Sequence, residues 1–155
     1  MGAASPGFRG MTEPLIIAMI EDDDGHARLI EKNLRRAGVN NRIVTLPDGA
    51  SASAFLFGPD GSGLVSKGKP ILVLLDLNLP DMSGIDILTR LKRNEHLKSS
   101  PVIILTTTDD KAEIQRCYDS GCNVYITKPV DYQQFANAIQ QLGMFMYVIQ
   151  VPEAI

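Results

Sequence analysis

Cysteines, surplus basic charge and long apolar runs are all scarce in this chain of 155 residues, and each scarcity removes a class of protein. Cys117 and Cys122 are its two cysteines, too few for a disulfide framework and not arranged as Cys-x-x-Cys. They read as reduced structural thiols of a cytoplasmic protein. Lys and Arg number 15 against 18 Asp and Glu, a formal charge of -3, so no basic surplus is available to neutralise nucleic-acid phosphates. Charges of both signs alternate without long blocks, as on a solvated mixed surface. No run approaches the roughly 18–20 apolar residues that span a bilayer. The first ten residues, rich in Gly, Ala, Ser and Pro, lack the apolar centre of a secretory signal. Neither a Walker-type glycine loop nor a Gly-x-Ser-x-Gly elbow occurs, so nucleotide hydrolysis and serine-ester chemistry have no support.

What remains is one domain's worth of alternating patterns. Residues 1–13 read as a disordered extension or cloning scar, 14–143 as the domain, and 144–155 as an apolar tail. Strand candidates are Leu15 to Ile20, Arg42 to Leu46, Ile71 to Leu75, Val102 to Leu105 and Val124 to Ile126. The unbroken apolar character of the first and third suits strands buried on both faces, and Ile71 to Leu75 is expected to be central. Helices are expected from Gly25 to Ala37, Asp48 to Phe57, Gly84 to Arg93 and Asp110 to Ser120, with a fifth beginning near Asp131. Ala27, Ile30, Leu34 and Ala37 mark the buried stripe of the first, with Asp24 as its cap and Gly38 as its stop. Ile85, Leu88 and Leu91 mark the third. Phe135, Ala138, Ile139 and Leu142 mark the fifth, where Asp131 and Gln134 have capping-box spacing. Gly58 to Lys69 reads as a lengthened surface loop. Five β-α alternations predict an α/β domain with helical crossovers between parallel strands, although periodicity does not order the sheet.

Four of the strand candidates run into polar residues at their carboxyl ends: Glu21-Asp22-Asp23, Asp76-Leu77-Asn78, Thr106-Thr107-Thr108 and Thr127-Lys128-Pro129. Ligands of open parallel sheets bind outside those ends, so residues distant in sequence should meet at one rim. A carboxylate there, Asp76, can attack a phosphorus centre. Asp22, Asp76 and the Asn78 backbone carbonyl suit Mg2+, with Glu21 acting through a water. Lys128 would be held by these acids and grip a phosphoryl oxygen, and Thr106 would donate to another. Three plainer readings stand beside these: a solvated turn and helix cap at Glu21 to Asp24, an ordinary surface lysine at Lys128, and a helix cap at Thr108.

Glu21-Asp22, Asp76, Thr106 and Lys128-Pro129, in this order on a β-α frame from Leu15 to about Leu142, resemble the signature of the receiver domain of two-component response regulators, chemotaxis-type single-domain members in particular. The resemblance implies a flavodoxin-like doubly wound sheet of five parallel strands in the order 2-1-3-4-5. It implies that Asp76 accepts a phosphoryl group from a sensor histidine kinase, with Mg2+ on Asp22, Asp76 and Asn78. Thr106 would then move toward the phosphoryl group, Tyr125 would turn inward as an aromatic switch, and partner binding would change. The Lys128-Pro129 bond is often cis in this family. Glu21-Asp22-Asp23, Leu105-Thr106-Thr107 and the ending after the fifth helix also resemble the small regulators paired with bacterial phytochromes, which implies a kinase of that type. No DNA-binding output segment is expected, and the downstream target would be a protein. Met144 to Ile149 suggests a homodimer through the C-terminal helix and tail.

Three other readings compete. A pseudo-receiver would keep the fold and bind partners without phosphorylation. A haloacid-dehalogenase-type phosphatase would need a second acid two residues after Asp76, where Asn78 stands. Flavin phosphate would be repelled by the acidic loop after the first strand. His26 and His96 lack the helical-bundle setting of a phosphotransfer histidine.

Overall fold

The computed structural model describes residues 15–58, 71–128 and 132–141. Five strands form one parallel sheet: β1 (Ile16–Ile20), β2 (Ile43–Leu46), β3 (Ile71–Asp76), β4 (Val102–Thr106) and β5 (Val124–Thr127). Their order is β2-β1-β3-β4-β5, with β3 in the middle as its apolar run predicts. The helices are α1 (Asp24–Arg36), α2 (Gly49–Phe57), α3 (Gly84–Arg93), α4 (Lys111–Asp119) and α5 (Tyr132–Gln141).

Side chains of a strand alternate between faces, and here both faces are apolar. Ile17, Met19, Leu72, Leu74, Ile103, Leu105, Val124 and Ile126 pack under Ala27, Ile30 and Leu34 of α1 and Ala138 of α5. Ala18, Ile20, Ile71, Val73, Leu75, Val102 and Ile104 pack under α2, α3 and α4, with Cys117 and Cys122. Each of the Val, Leu, Ile and Met side chains among them contributes roughly 1.5–3 kcal/mol by leaving water. Both cysteines are buried free thiols. Burial pushes each thiol up, Cys122 to about 12, which suits a structural and unreactive role.

Several boundaries differ from the periodic reading. Asp23, not Asp24, caps α1, its side chain accepting from the His26 N–H at 2.8 Å; the helix therefore starts one residue early. Asp110 rather than Thr108 caps α4, accepting from Ala112 N–H at 2.9 Å. In α3 the buried face is Ile87, Leu88 and Leu91, while Ile85 is only half-buried, because Gly84 brings the first turn against β3. A Cβ at Gly84 would stand 2.5 Å from the Asp76 carbonyl oxygen. Gly38 does stop α1, at φ 93°. The Lys128-Pro129 bond, the Asp131 cap, the Gly58–Lys69 loop beyond Gly58 and the apolar tail lie outside the described residues.

Candidate functional site

β3, β4 and β5 each carry their last strand residue, Asp76, Thr106 and Thr127, to the rim where β1 ends at Ile20. Strand register fixes the spacing: Ile20 pairs with Leu75, Asp76 with Leu105, and Thr106 with Thr127. Alternation then directs Asp76 to the side of Leu72 and Leu74, and Thr106 to the side of Val102 and Ile104. Asp76 is 5% exposed and Thr106 is fully buried.

The acids meet as expected. Carboxylate oxygens of Glu21, Asp22 and Asp76 lie within 4.8 Å of one another, Glu21 and Asp76 buried and Asp22 exposed. Lys128 Nζ donates to Glu21 Oε1 and, at 3.0 Å, to Asp76 Oδ2. Its side chain is 8% exposed, so this is a buried ammonium with two carboxylate partners. Burial alone would lower the Lys128 pKa, but the bonds to Glu21 and Asp76 outweigh it and hold the lysine above its ordinary value. Burial pushes the Glu21 carboxyl up, against the bond from Lys128, and the charge of Asp76 adds to the rise. Burial and the charges of Glu21, Asp76 and Lys128 together set these shifts. With Asp22 beside them the cluster holds three carboxylates and one ammonium, a negative surplus that a divalent cation would offset. The donors are all oxygens, the hard ligands that Mg2+ requires, and the cluster fits such an ion.

The remaining candidates are connected to this core. Asn78 N–H donates to Asp76 Oδ1 at 3.0 Å, and its amide reaches Thr106 Oγ1 at 3.4 Å. Lys128 N–H donates to the Thr106 carbonyl at 2.8 Å, tying the ends of β4 and β5. Tyr125 packs half-buried against the core on the Thr106 side, and its hydroxyl donates to the Thr108 carbonyl at 2.8 Å. Desolvation pushes that phenol to about 12. Two residues with no expected part in the site also belong here. His26 lines the same cavity as Asp76 and Lys128, of about 260 Å³, and its Nδ1 lies 3.4 Å from Lys128 Nζ. Its place in the first turn of α1, next to the acidic end of β1, was the available signal. Asp81 holds the β3–α3 loop against α2, a contact between residues too distant in sequence for any periodic signal.

An acidic cluster, a buried lysine and a buried threonine on a 2-1-3-4-5 sheet agree with a match of residues 17–140 to the model of the response regulator receiver domain. The chain belongs to that family. This receiver domain is similar to the crystal structure of a response regulator receiver domain from Rhodospirillum rubrum: 68% identity, TM-score 0.74, covering 90% of this chain and 99% of that one. It is also similar to the bacteriophytochrome response regulator RtBRR, with 32% identity and TM-score 0.75 over 90% of this chain and 84% of that one. Response regulator Rcp1 of Synechocystis is 30% identical over 142 residues, 91% of this chain and 95% of that protein. The Mn2+-bound form of Rcp1 superposes with a TM-score of 0.67, at 30% identity over 91% of this chain and 100% of that one. Receiver domains are signalling domains that take phosphoryl groups from histidine kinases and bind Mg2+. Among the described residues of this receiver domain, no helix is long and apolar enough to cross a membrane.

Proposed function

We propose that this receiver domain accepts a phosphoryl group on Asp76 from the histidine of a sensor kinase, and that the change at the rim alters the binding of a protein partner. The observation that carries the reading is the joining of Asp76, Glu21 and Lys128 beside Asp22. Asp22, Asp76 and the Asn78 carbonyl would hold Mg2+, with Glu21 acting through water; the ion would neutralise charge on the transferring group. An Asp76 carboxylate oxygen forms the new O–P bond as the P–N bond to the kinase histidine breaks, the imidazole keeping the electron pair and taking up a proton. Lys128 then has a phosphoryl oxygen to bond in exchange for Asp76, and Thr106 a second one. Thr106 is linked to Asp76 through Asn78 and shares its face of the sheet with Tyr125, which gives the rim a route to the α4–β5 surface. The likeness to RtBRR favours a phytochrome-type kinase as the donor. The C-terminal helix and tail are proposed as a self-association surface, tested by sedimentation of the chain with and without residues 144–155.

Intact-mass measurement after incubation with acetyl phosphate tests the central step. The expected outcome is a gain of one phosphoryl group that requires Mg2+ and disappears in Asp76→Asn, whose amide fits the same place. No gain with any divalent cation overturns phosphorylation at this site and leaves the pseudo-receiver reading, in which partners bind regardless of phosphate.

A further inference from the structure

The loop after Asp76 is closed at its base and pinned at its tip. Gly84 N–H donates to the Leu77 carbonyl at 2.9 Å, and Asn78 and Ser83 form an antiparallel bridge. At the tip, Gly49 N–H donates to Asp81 Oδ1 at 2.7 Å and Ala50 N–H to Asp81 Oδ2 at 2.9 Å. These are the first two amides of α2, which a helix leaves without partners of its own. Asp48 takes a different amide, that of Ser51, at 2.7 Å. Two carboxylates therefore divide the start of one helix, one local and one from the phosphorylation loop. Gly49 makes the approach close: a Cβ there would lie 2.2 Å from Met82 Sδ and 2.3 Å from Met82 Cγ. The helix start is seated on the loop.

The base of the same loop carries Asn78, which bonds to Asp76 Oδ1 and reaches Thr106 Oγ1. Releasing the tip frees the segment whose Asn78 amide bonds to Asp76 Oδ1, the oxygen not held by Lys128. We propose that Asp81 is a positioning residue for the cation and phosphoryl site, acting through the clamp between its carboxylate and the first two amides of α2. The clamp also keeps the Asp81 carboxylate directed at the helix, away from the cation. The inference rests on the proposed function of Asp76.

The test measures Mn2+ affinity by electron paramagnetic resonance, the rate of phosphorylation by acetyl phosphate, and the melting temperature, on the full chain. Asp81→Ala is expected to weaken Mn2+ binding about tenfold and to slow phosphorylation, the scale of losing a group that orients a metal ligand. Asp48→Ala supplies the contrast. It uncaps the same helix without touching the loop, so it should lower the melting temperature and leave Mn2+ affinity unchanged. Mn2+ affinity in Asp81→Ala within roughly twofold of wild type, or an equal loss in Asp48→Ala, overturns the proposal. Should Asp81→Ala fail to fold, Gly49→Ala separates the same parts from the helix side. Weaker Mn2+ binding that recovers in Gly49→Ala/Met82→Ala supports the clamp, and unchanged binding in both overturns it. A wild-type chain that takes neither Mn2+ nor phosphate refutes the function of Asp76 itself, a separate result from a variant indistinguishable from a working wild type.

Discussion

Lys92 and Lys128 are both drawn into the protein, and burial pulls the pKa of each down, yet they end on opposite sides of the ordinary lysine value. Lys92, in the last turn of α3, donates to the Lys98 carbonyl at 3.3 Å and the Ser100 carbonyl at 2.8 Å. Lys128 donates to two carboxylates. Carbonyls satisfy the donors of an ammonium without offsetting its lost hydration, and Lys92 falls; carboxylates more than offset it, and Lys128 rises. Lys92 stitches α3 to the following loop and its aliphatic stem covers Gly121, where a Cβ would lie 2.9 Å from Lys92 Cγ. Lys128 instead holds together carboxylates that would otherwise repel. A buried lysine is thus informative about function only through its partners.

The contrast breaks most sharply at Lys128→Met. That change strands Glu21 and Asp76 without their ammonium and should cost about 3 kcal/mol in urea unfolding at neutral pH. Adding Mg2+ should recover part of the loss, and recover more than it adds to wild type, because the ion then carries the whole neutralising burden. Lys92→Met should cost about 1 kcal/mol, the scale of two bonds to neutral acceptors, with no dependence on Mg2+. The smallest effect is one of sign in the alkaline range. A base raised in the folded state gives stability that is lost as pH climbs past the ordinary lysine value of 10.5 toward the folded one. A base lowered in the folded state does the reverse, its penalty fading as pH rises from the folded value toward 10.5. Cys122 and Tyr125, each pushed to about 12, lower the stability of every variant in this range as pH rises. The difference curves therefore carry the test: relative to wild type, Lys128→Met should lose less stability with rising pH and Lys92→Met should lose more. Equal slopes in the two variants would show that the partners do not distinguish the lysines.

Much of this was legible before any coordinates. Continuous apolar runs marked β1 and β3 as buried on both faces, and the polar residues at strand ends fell where a parallel sheet gathers them. That the acids and Lys128 meet at one rim could be expected, because a parallel sheet gathers the residues at its strand ends. Capping was less legible, since Asp22, Asp23 and Asp24 are equivalent as sequence and only the backbone turn selects Asp23. The buried face of α3 shifted toward Ile87 because the close approach at Gly84, a tertiary constraint, rotates the helix against the sheet. The bond from Gly49 to Asp81 joins a helix start to a loop 32 residues later, beyond the rest of α2 and all of β3, and no local pattern encodes it.

The alternation of side chains along the strands makes the sheet an insulating wall. Asp76 belongs to the α1–α5 side, while Thr106 and Tyr125 belong to the side of α3 and α4. Through the body of the sheet the two apolar slabs are separated by backbone. At the rim the wall ends, and Asn78 leans over it with one bond to Asp76 and one toward Thr106. Under the proposed function, a message written on one side of the wall would be read on the other by passing over its top, and the site would also be the doorway between the two halves of the molecule.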